Sequence, residues 1–252
     1  MKLIKDQEYG GERPLFATHD LRLERITITD GESGIKQCQR MEAKDCRFYG
    51  KYPWWHVDGA LIEDCYFAEG SRSAVWYTND LVMRRCRIDG LRLKNVKLHG
   101  GTYPFMFSNN IYVEDLESDS KYVFQYCKNV EIHHANILTK DSFWECENVT
   151  IYDSVLDGEY LAWHSKNVRL VNCHLAGEQL LCYTQNLVLE NCTIDAACDR
   201  MFEYSTVEAD IRGHIENIKN PTSGHIVADS IGSITIDENV RQPANCIIET
   251  RA

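Results

Sequence analysis

The chain has 252 residues, of which 44% are apolar and 26% are charged. This composition excludes a disordered tail, a collagen and a coiled coil. The chain carries 27 Lys and Arg against 38 Asp and Glu, which gives a net charge of -11, so nucleic acid and anionic membranes are not expected as partners.

The beginning of the chain and its cysteines indicate a compartment. Residues Met1 to Gly10 contain no apolar signal-peptide core, and no run of about 18 apolar residues occurs further on. The 11 cysteines lack the C-x-x-C pairs that are typical of zinc sites. We therefore expect a cytoplasmic protein with free thiols, and we predict neither a metal nor a cofactor.

From residue 110 onward the sequence repeats with a period of about 19 residues, which is typical of a solenoid. Each repeat begins with an asparagine that is followed by an apolar, variable, apolar triplet, at Asn110, Asn129, Asn148, Asn167 and Asn186. Two further short apolar segments follow in each repeat, separated by turn residues. Three short strands in about 19 or 20 residues predict an all-β, single-stranded parallel β-helix, whose stacked coils align the asparagines in a ladder.

Upstream, the same frame continues less strictly through Asp20, Arg40, Gly59 and Asp80. The spacing from Asp80 to Asn110 is more than one coil and less than two. A coil near Asp89-Gly90 is therefore predicted to lack its third strand. We predict a single domain, 1–252, with an N-terminal cap at 1–18, regular coils at 19–206, and C-terminal coils with a cap at 207–252.

The third strands carry most of the aromatic residues. Alignment of the repeats predicts one column that contains Trp55, Trp76, Met106, Gln125, Trp144, Trp163, Cys182 and Glu203. The column one residue earlier, with Phe105, Phe124, Phe143, Ala162, Leu181 and Phe202, is predicted to be core. The period of a strand does not decide which neighbouring column points outward, and the aromatics could instead fill the coil.

If these aromatics face outward, they form a flat platform with polar rims. The predicted ligand-binding residues are then Trp54, Trp55, His56, Trp76, Tyr77, Tyr126, Trp144, Trp163 and Tyr183. Three ionisable residues lie on the same face, Glu145, His164 and Glu203, and we predict them as catalytic. Two carboxylates in different environments are the pair that a glycosidase needs, and His164 is an alternative base.

Several segments resemble a known group of proteins. These are Tyr52-Pro53-Trp54-Trp55, Phe143-Trp144-Glu145-Cys146-Glu147-Asn148-Val149, Phe202-Glu203-Tyr204-Ser205 and Asn220-Pro221-Thr222-Ser223-Gly224. With the asparagine repeat, they resemble a microbial domain-of-unknown-function family of right-handed parallel β-helix proteins in the pectate-lyase-like superfamily. The resemblance extends over about residues 3 to 240. It implies the fold and brings no activity, cofactor or catalytic residue, whereas the superfamily implies carbohydrate-active chemistry, lyase- or glycosidase-like, if the protein is an enzyme.

We therefore expect a β-helix protein that binds a saccharide or another small polar ligand on an aromatic outer face. Whether it is an enzyme stays open at this point. The alternative from a different class is a non-catalytic scaffold, a protein-interaction or oligomerisation module whose aromatic surface or coil end forms a homo-oligomer or binds another protein.

Overall fold

A computed structural model describes residues 1–71, 74–241 and 244–251. Two compact units divide the chain, a first unit, Met1–Phe124, and a second unit, Gln125–Ala252. Each unit consists of parallel strands, and the one helical element among the described residues is a 3-10 turn at Glu69–Ser71. The predicted all-β parallel β-helix is confirmed.

The first unit contains fifteen strands. They are β1 (Lys2–Lys5), β2 (Glu8–Glu12), β3 (His19–Glu24), β4 (Thr27–Glu32), β5 (Ile35–Lys36), β6 (Gln39–Lys44), β7 (Arg47–Phe48), β8 (Trp54–Trp55), β9 (Asp58–Glu63), β10 (Tyr66–Phe67), β11 (Val75–Trp76), β12 (Asn79–Arg84), β13 (Arg87–Ile88), β14 (Arg92–Leu98) and β15 (Asn109–Ser118). They stack in three parallel ladders. The first ladder is β1-β3-β6-β9-β12, the second is β2-β4-β7-β10-β13, and the third is β5-β8-β11-β14-β15.

The second unit contains twelve strands. They are β16 (Lys128–His133), β17 (Asn136–Leu138), β18 (Glu147–Tyr152), β19 (Val155–Asp157), β20 (Lys166–Val171), β21 (His174–Ala176), β22 (Gln185–Ile194), β23 (Thr206–Arg212), β24 (His214–Lys219), β25 (Ser223–Ala228), β26 (Ser230–Thr235) and β27 (Asn245–Thr250). One ladder runs β16-β18-β20-β22-β23-β25-β27. A second runs β17-β19-β21 and continues through the last residues of β22 to the last residues of β23. β26 pairs with β24.

The core lies inside the coils, because every second residue of each strand points inward. Its predicted column is confirmed, since the following residues are all buried: Phe105, Phe124, Phe143, Ala162, Leu181 and Phe202. All 11 cysteines are free, and ten of them are buried. Burial raises the pKa of the Cys182 thiol to about 12, so the thiol stays protonated and packs as a small apolar group.

The asparagine ladder of the second unit is confirmed. The amide of Asn148 donates to Asn129 over 2.9 Å, and Asn167 and Asn186 continue the chain at 2.8 and 2.9 Å. All four residues have φ between 54° and 59°, the left-handed region that asparagine tolerates better than most residues. A second ladder runs from Asn191 to Asn172 to Asp153 at 2.9 Å each.

The short coil near Asp89-Gly90 differs from its prediction. Trp76 of β11 pairs with Lys94 near the start of β14, and Leu81 of β12 pairs with Leu98 at its end. β14 therefore supplies the third strand of one coil and the first strand of the next. The coil retains its third strand, and the prediction that it is missing was wrong. What is lost is the turn before it, because Gly90 redirects the chain at once with φ of 69°.

This loss shifts the register of the following residues. Asn109 forms a bridge with Asp89, so Asn110 lies in the column of Gly90. The sequence frame had predicted that Asn110 continues the column of Asp80. The alignment of Met106 with Trp76 was wrong for the same reason. The third-strand column of the first unit instead runs Lys36, Trp55, Trp76, Lys94 and Glu114.

No helix among residues 1–71, 74–241 and 244–251 is long and apolar enough to cross a membrane.

Candidate functional site

The predicted site residues fall into two clusters, one in each unit. The first-unit cluster contains Trp55, His56, Trp76 and Tyr77, together with Tyr52. Trp55 and Trp76 are register partners on β8 and β11, with ring centroids 5.3 Å apart and planes inclined by 15°. His56 stacks on Tyr77 at 4.9 Å and 9°. Rings stacked between successive coils cover one another's faces, so solvent meets mainly their edges.

Cationic side chains continue this stack at both ends. The Lys36 ammonium lies 3.7 Å from the centroid of the Trp55 ring, a cation–π contact that covers its other face. At the other end, Lys94 is the register partner of Trp76 and forms an ion pair of 2.8 Å with Glu114. A hydrogen bond to Glu114 raises the pKa of Lys94 above its ordinary value.

Trp54 does not belong to the outer face. Its side chain is 0% exposed and meets Phe48 edge-on, with 5.9 Å between ring centroids. Its placement among the ligand-binding residues was wrong, because adjacent strand residues point to opposite sides and Trp55 takes the outward direction. The indole nitrogens of Trp54, Trp55 and Trp76 are all buried and have no hydrogen-bond partner among the described residues.

The second-unit cluster contains Trp144, Tyr160, Trp163, His164 and Tyr183, and its rings are mostly tilted. Trp144 and Trp163 lie 5.7 Å apart at 45°, and Trp163 meets Tyr183 at 5.0 Å and 67°. His164 and Tyr183 are stacked, at 4.8 Å and 12°. The Trp163 indole donates to the carbonyl of Gln179 at 2.6 Å, which fixes the ring in its tilted orientation.

Two ionisable residues lie at the exposed rim of this cluster. The Glu145 backbone N–H donates to Trp163 O at 2.8 Å, which places Glu145 and His164 side by side on successive coils. Both side chains are exposed. Neither the Glu145 carboxylate nor the His164 ring has a hydrogen-bond partner among the residues that the structure describes.

Glu203, the third predicted catalytic residue, has a different environment. Its carboxylate forms an ion pair of 3.2 Å with Lys219 and accepts hydrogen bonds from Asn220 at 3.3 Å and Tyr183 at 3.4 Å. Burial and the Glu203 charge raise the pKa of Tyr183, and the hydrogen bond to Glu203 raises that of Lys219. The acceptor capacity of Glu203 is thus engaged by its own chain.

Three further residues of the same unit lie beside this cluster. Tyr126, a predicted ligand residue, is half-buried and lies one coil before Glu145. Its backbone N–H donates to Trp144 O at 2.8 Å. Gln125 is buried, and its amide donates to Asp141 O at 3.3 Å. Asp141 itself is only 6% exposed and its Oδ1 has no partner among the described residues. Burial, reinforced by the Glu159 charge, raises its pKa to about 6.

Sequence reasoning missed Lys36, Tyr52, Asp141 and Lys219. Lys36 lies one coil length before Trp55, so the spacing contained its signal. Lys219 follows Glu203 by less than the length of a regular coil, and no repeated sequence motif marks this shorter coil. No group of three His, Cys, Asp or Glu side chains in the described part of the chain is arranged to hold a metal ion.

Comparisons with known proteins identify the family. The model of the family described as "Protein of unknown function (DUF3737)" matches residues 2–93 and 89–249, two matches that meet at the short coil. None of the curated proteins compared with the chain matches it. A solved structure of QnrB1, a plasmid-mediated fluoroquinolone resistance protein, is 12% identical, covers 92% of this chain and 91% of its own, and has a TM-score of 0.18. The relation to pectate lyases that the sequence suggested stays a prediction.

Proposed function

The chain belongs to the DUF3737 family of proteins of unknown function, and we propose that it binds a saccharide or similar small polar ligand on the tilted aromatic cluster of its second unit. One observation carries this proposal, the 45° inclination between Trp144 and Trp163. Tilted rings leave part of each face uncovered, and an uncovered aromatic face is what the C–H groups of a sugar ring pack against.

The two tryptophans of the first-unit cluster lack this property. Trp55 and Trp76 are inclined by only 15°, and the outer face of Trp55 carries the Lys36 ammonium. A ligand would have to displace that ammonium to reach the ring. The stack is therefore better suited to stabilising the coils than to binding a ligand.

The polar groups beside Trp144 and Trp163 suit a ligand with hydroxyl groups. The Glu145 carboxylate accepts hydrogen bonds from hydroxyls, while the His164 ring accepts or donates according to its tautomer. Their position on successive coils sets them one rung apart, about 4.8 Å, which is close to the spacing of hydroxyls across one sugar ring. In this proposal the two residues orient the ligand.

Glu203 takes a supporting role in the same proposal. Its carboxylate is already engaged by Lys219 at 3.2 Å, so we do not assign it as a general acid. Instead, it fixes the Tyr183 hydroxyl at 3.4 Å, and Tyr183 in turn supports the His164 ring. The proposed activity is binding, without a catalytic carboxylate pair.

The test is a titration of intrinsic tryptophan fluorescence with maltohexaose, cellohexaose, xylohexaose, trigalacturonate and glucose 6-phosphate. We expect saturable quenching by at least one of these probes. Trp144→Phe and Glu145→Gln should each weaken that binding by about tenfold or more, since each removes a contact of roughly 1–2 kcal/mol.

Trp76→Phe is the matched control, because Trp76 is a half-buried tryptophan that stacks on Trp55 in the first-unit cluster. It should leave the affinity unchanged. Absence of saturable quenching with all five probes would reject the proposal. Equal loss of binding in Trp76→Phe and Trp144→Phe would also reject the assignment to the second unit.

A further inference from the structure

Asp141 is a buried carboxylate beside the second-unit cluster, and its Oδ1 has no hydrogen-bond partner among the described residues. The side chains of Gln125 and Thr139 both donate to Asp141, but they bind its backbone carbonyl, at 3.3 and 3.2 Å. Buried polar groups are nearly always hydrogen-bonded, and a buried charge without a partner destabilises the fold. The exception at Asp141 indicates a position that receives a hydrogen-bond donor from outside the chain.

The repeat places this carboxylate next to the ring of Trp144. Tyr160 and Trp163 are three residues apart on one coil, and their ring centroids lie 4.7 Å apart. One coil earlier, Asp141 and Trp144 have the same spacing in the sequence, and the Glu145 N–H on Trp163 O at 2.8 Å keeps the two coils in register. Asp141 thus takes the place of Tyr160 with a much shorter side chain, which leaves room beside the Trp144 ring. A ligand ring that packs on Trp144 therefore brings its substituents to this carboxylate.

From this placement we infer that Asp141 binds the ammonium group of an amino sugar whose ring packs on Trp144. The inference rests on the saccharide binding proposed above and narrows the ligand to a hexosamine with a free amino group. An ammonium donates strong hydrogen bonds to a carboxylate, and aromatic faces attract cations. A metal ion is not inferred as the occupant, because no three His, Cys, Asp or Glu side chains of residues 1–71, 74–241 and 244–251 are arranged to hold one.

The charges around Asp141 also favour a cationic ligand. Burial, reinforced by the Glu159 charge, raises the pKa of Asp141 to about 6, so its carboxylate is mostly ionised at neutral pH. Lys140 supplies the opposing charge and pairs with Glu159 at 3.6 Å, while the Glu145 carboxylate adds a further negative charge at the rim. The site therefore holds more negative than positive charge, which attracts a protonated amine and repels sugars that carry phosphate or carboxylate groups.

The experiment compares oligosaccharides of equal length by tryptophan fluorescence at about pH 6.5, where Asp141 is still mostly ionised. Chitosan hexaose carries free amino groups, chitin hexaose carries the same groups acetylated, and cellohexaose carries hydroxyls in their place. We expect chitosan hexaose to bind about tenfold or more tightly than either neutral oligomer, because only its amine forms a charged hydrogen bond. Asp141→Asn should abolish this preference and leave the affinity for cellohexaose unchanged. Far-UV circular dichroism checks that the variant retains the β-helix.

Glu159→Gln is the matched control, because Glu159 is a neighbouring carboxylate that already pairs with Lys140. It should change the affinity for chitosan hexaose by no more than about threefold. Spermidine, an amine without a sugar ring, should not displace chitosan hexaose, and displacement would assign the site to polyamines instead.

Equal affinity for chitosan hexaose and cellohexaose overturns the inference and leaves the proposed saccharide binding intact. A preference for the amino sugar that survives Asp141→Asn, or that Glu145→Gln alone abolishes, also overturns it, because the ammonium would then bind elsewhere. Absence of binding with every oligosaccharide rejects the proposed function itself, so the two failures are distinguishable.

Discussion

The two aromatic clusters are built on the same kind of coil, and they differ in what lies against each ring. In the first unit, Trp55 and Trp76 stack nearly parallel beneath the Lys36 ammonium, and their indole N–H groups find no partner among the described residues. In the second unit, Trp163 is tilted and its N–H is bound to Gln179 O. Parallel stacking therefore covers the ring faces of an aromatic column, whereas a hydrogen bond that tilts one ring leaves part of its face uncovered.

Neither the number of tryptophans in a column nor their spacing is enough to predict a binding platform. What matters is whether the ring faces are already occupied by the coils above and below. The first cluster extends the core outward, whereas the rim of the second carries Glu145 and His164, whose side chains have no hydrogen-bond partner among the described residues. The fully buried Trp54 of the first unit should accordingly contribute more to stability than the half-buried Trp144 of the second unit.

The largest expected effect separates core from rim. Trp54→Ala should lower the free energy of unfolding by about 3–5 kcal/mol, because it empties a fully buried site. Trp144→Ala, at a half-buried position, should cost only about 1–2 kcal/mol. Urea denaturation followed by far-UV circular dichroism measures both. Equal losses would mean that the second cluster is as much a part of the core as Trp54.

A second prediction contrasts carboxylates of the two units through their pH dependence. The hydrogen bond from Arg85 lowers the pKa of Asp64 in the first unit, so its contribution to stability is present at neutral pH and is lost as the pH falls through that lowered pKa. Burial raises the pKa of Asp141 in the second unit to about 6. Between about pH 4 and pH 6 the folded state holds more protons than the unfolded state, and stability therefore falls as the pH rises.

Asp141→Asn should remove this fall. Between pH 4 and pH 7, the free energy of unfolding of the variant should rise relative to that of the wild type by on the order of 2 kcal/mol, since two pKa units correspond to roughly that energy. Denaturation midpoints at several pH values provide the measurement. Asp64→Asn is the control and should show the opposite trend, with a greater relative loss at pH 7 than at pH 3. Parallel pH profiles for wild type and Asp141→Asn would contradict the assignment.

The sequence was sufficient for the fold wherever the coil length is constant. Asn129, Asn148 and Asn167 recur at equal intervals, and equal coil lengths force their side chains into contact, as the amide bonds between them confirm. Constant length also identified the buried phenylalanine column. These features follow from the backbone repeat alone, so they need no knowledge of what surrounds each residue.

The sequence was insufficient where one coil differs in length. A shortening near Gly90 can remove a strand or a turn, and both choices keep the alternation of inward and outward residues. The pairing of Trp76 with Lys94 shows that a turn was lost. Similarly, Trp54 and Trp55 are chemically equivalent neighbours, and only the packing of Phe48 against Trp54 decides which one is core. The tilt of Trp163 depends on a backbone carbonyl, which no side-chain pattern reveals.

The smallest predicted effect tests the comparison most directly, by removing one indole N–H from each cluster. Trp163→Phe breaks the bond to Gln179 O and should cost about 1–2 kcal/mol in unfolding free energy. Trp76→Phe removes a buried donor that has no partner among the described residues, so the relief of that unmet hydrogen bond offsets the smaller ring, and the change should stay within about 0.5 kcal/mol. Both substitutions remove the same atoms from half-buried tryptophans, which makes each the control for the other in urea denaturation. If Trp76→Phe proved as destabilising as Trp163→Phe, hydrogen bonding would not distinguish the two clusters, and the tilt of Trp163 would need another cause.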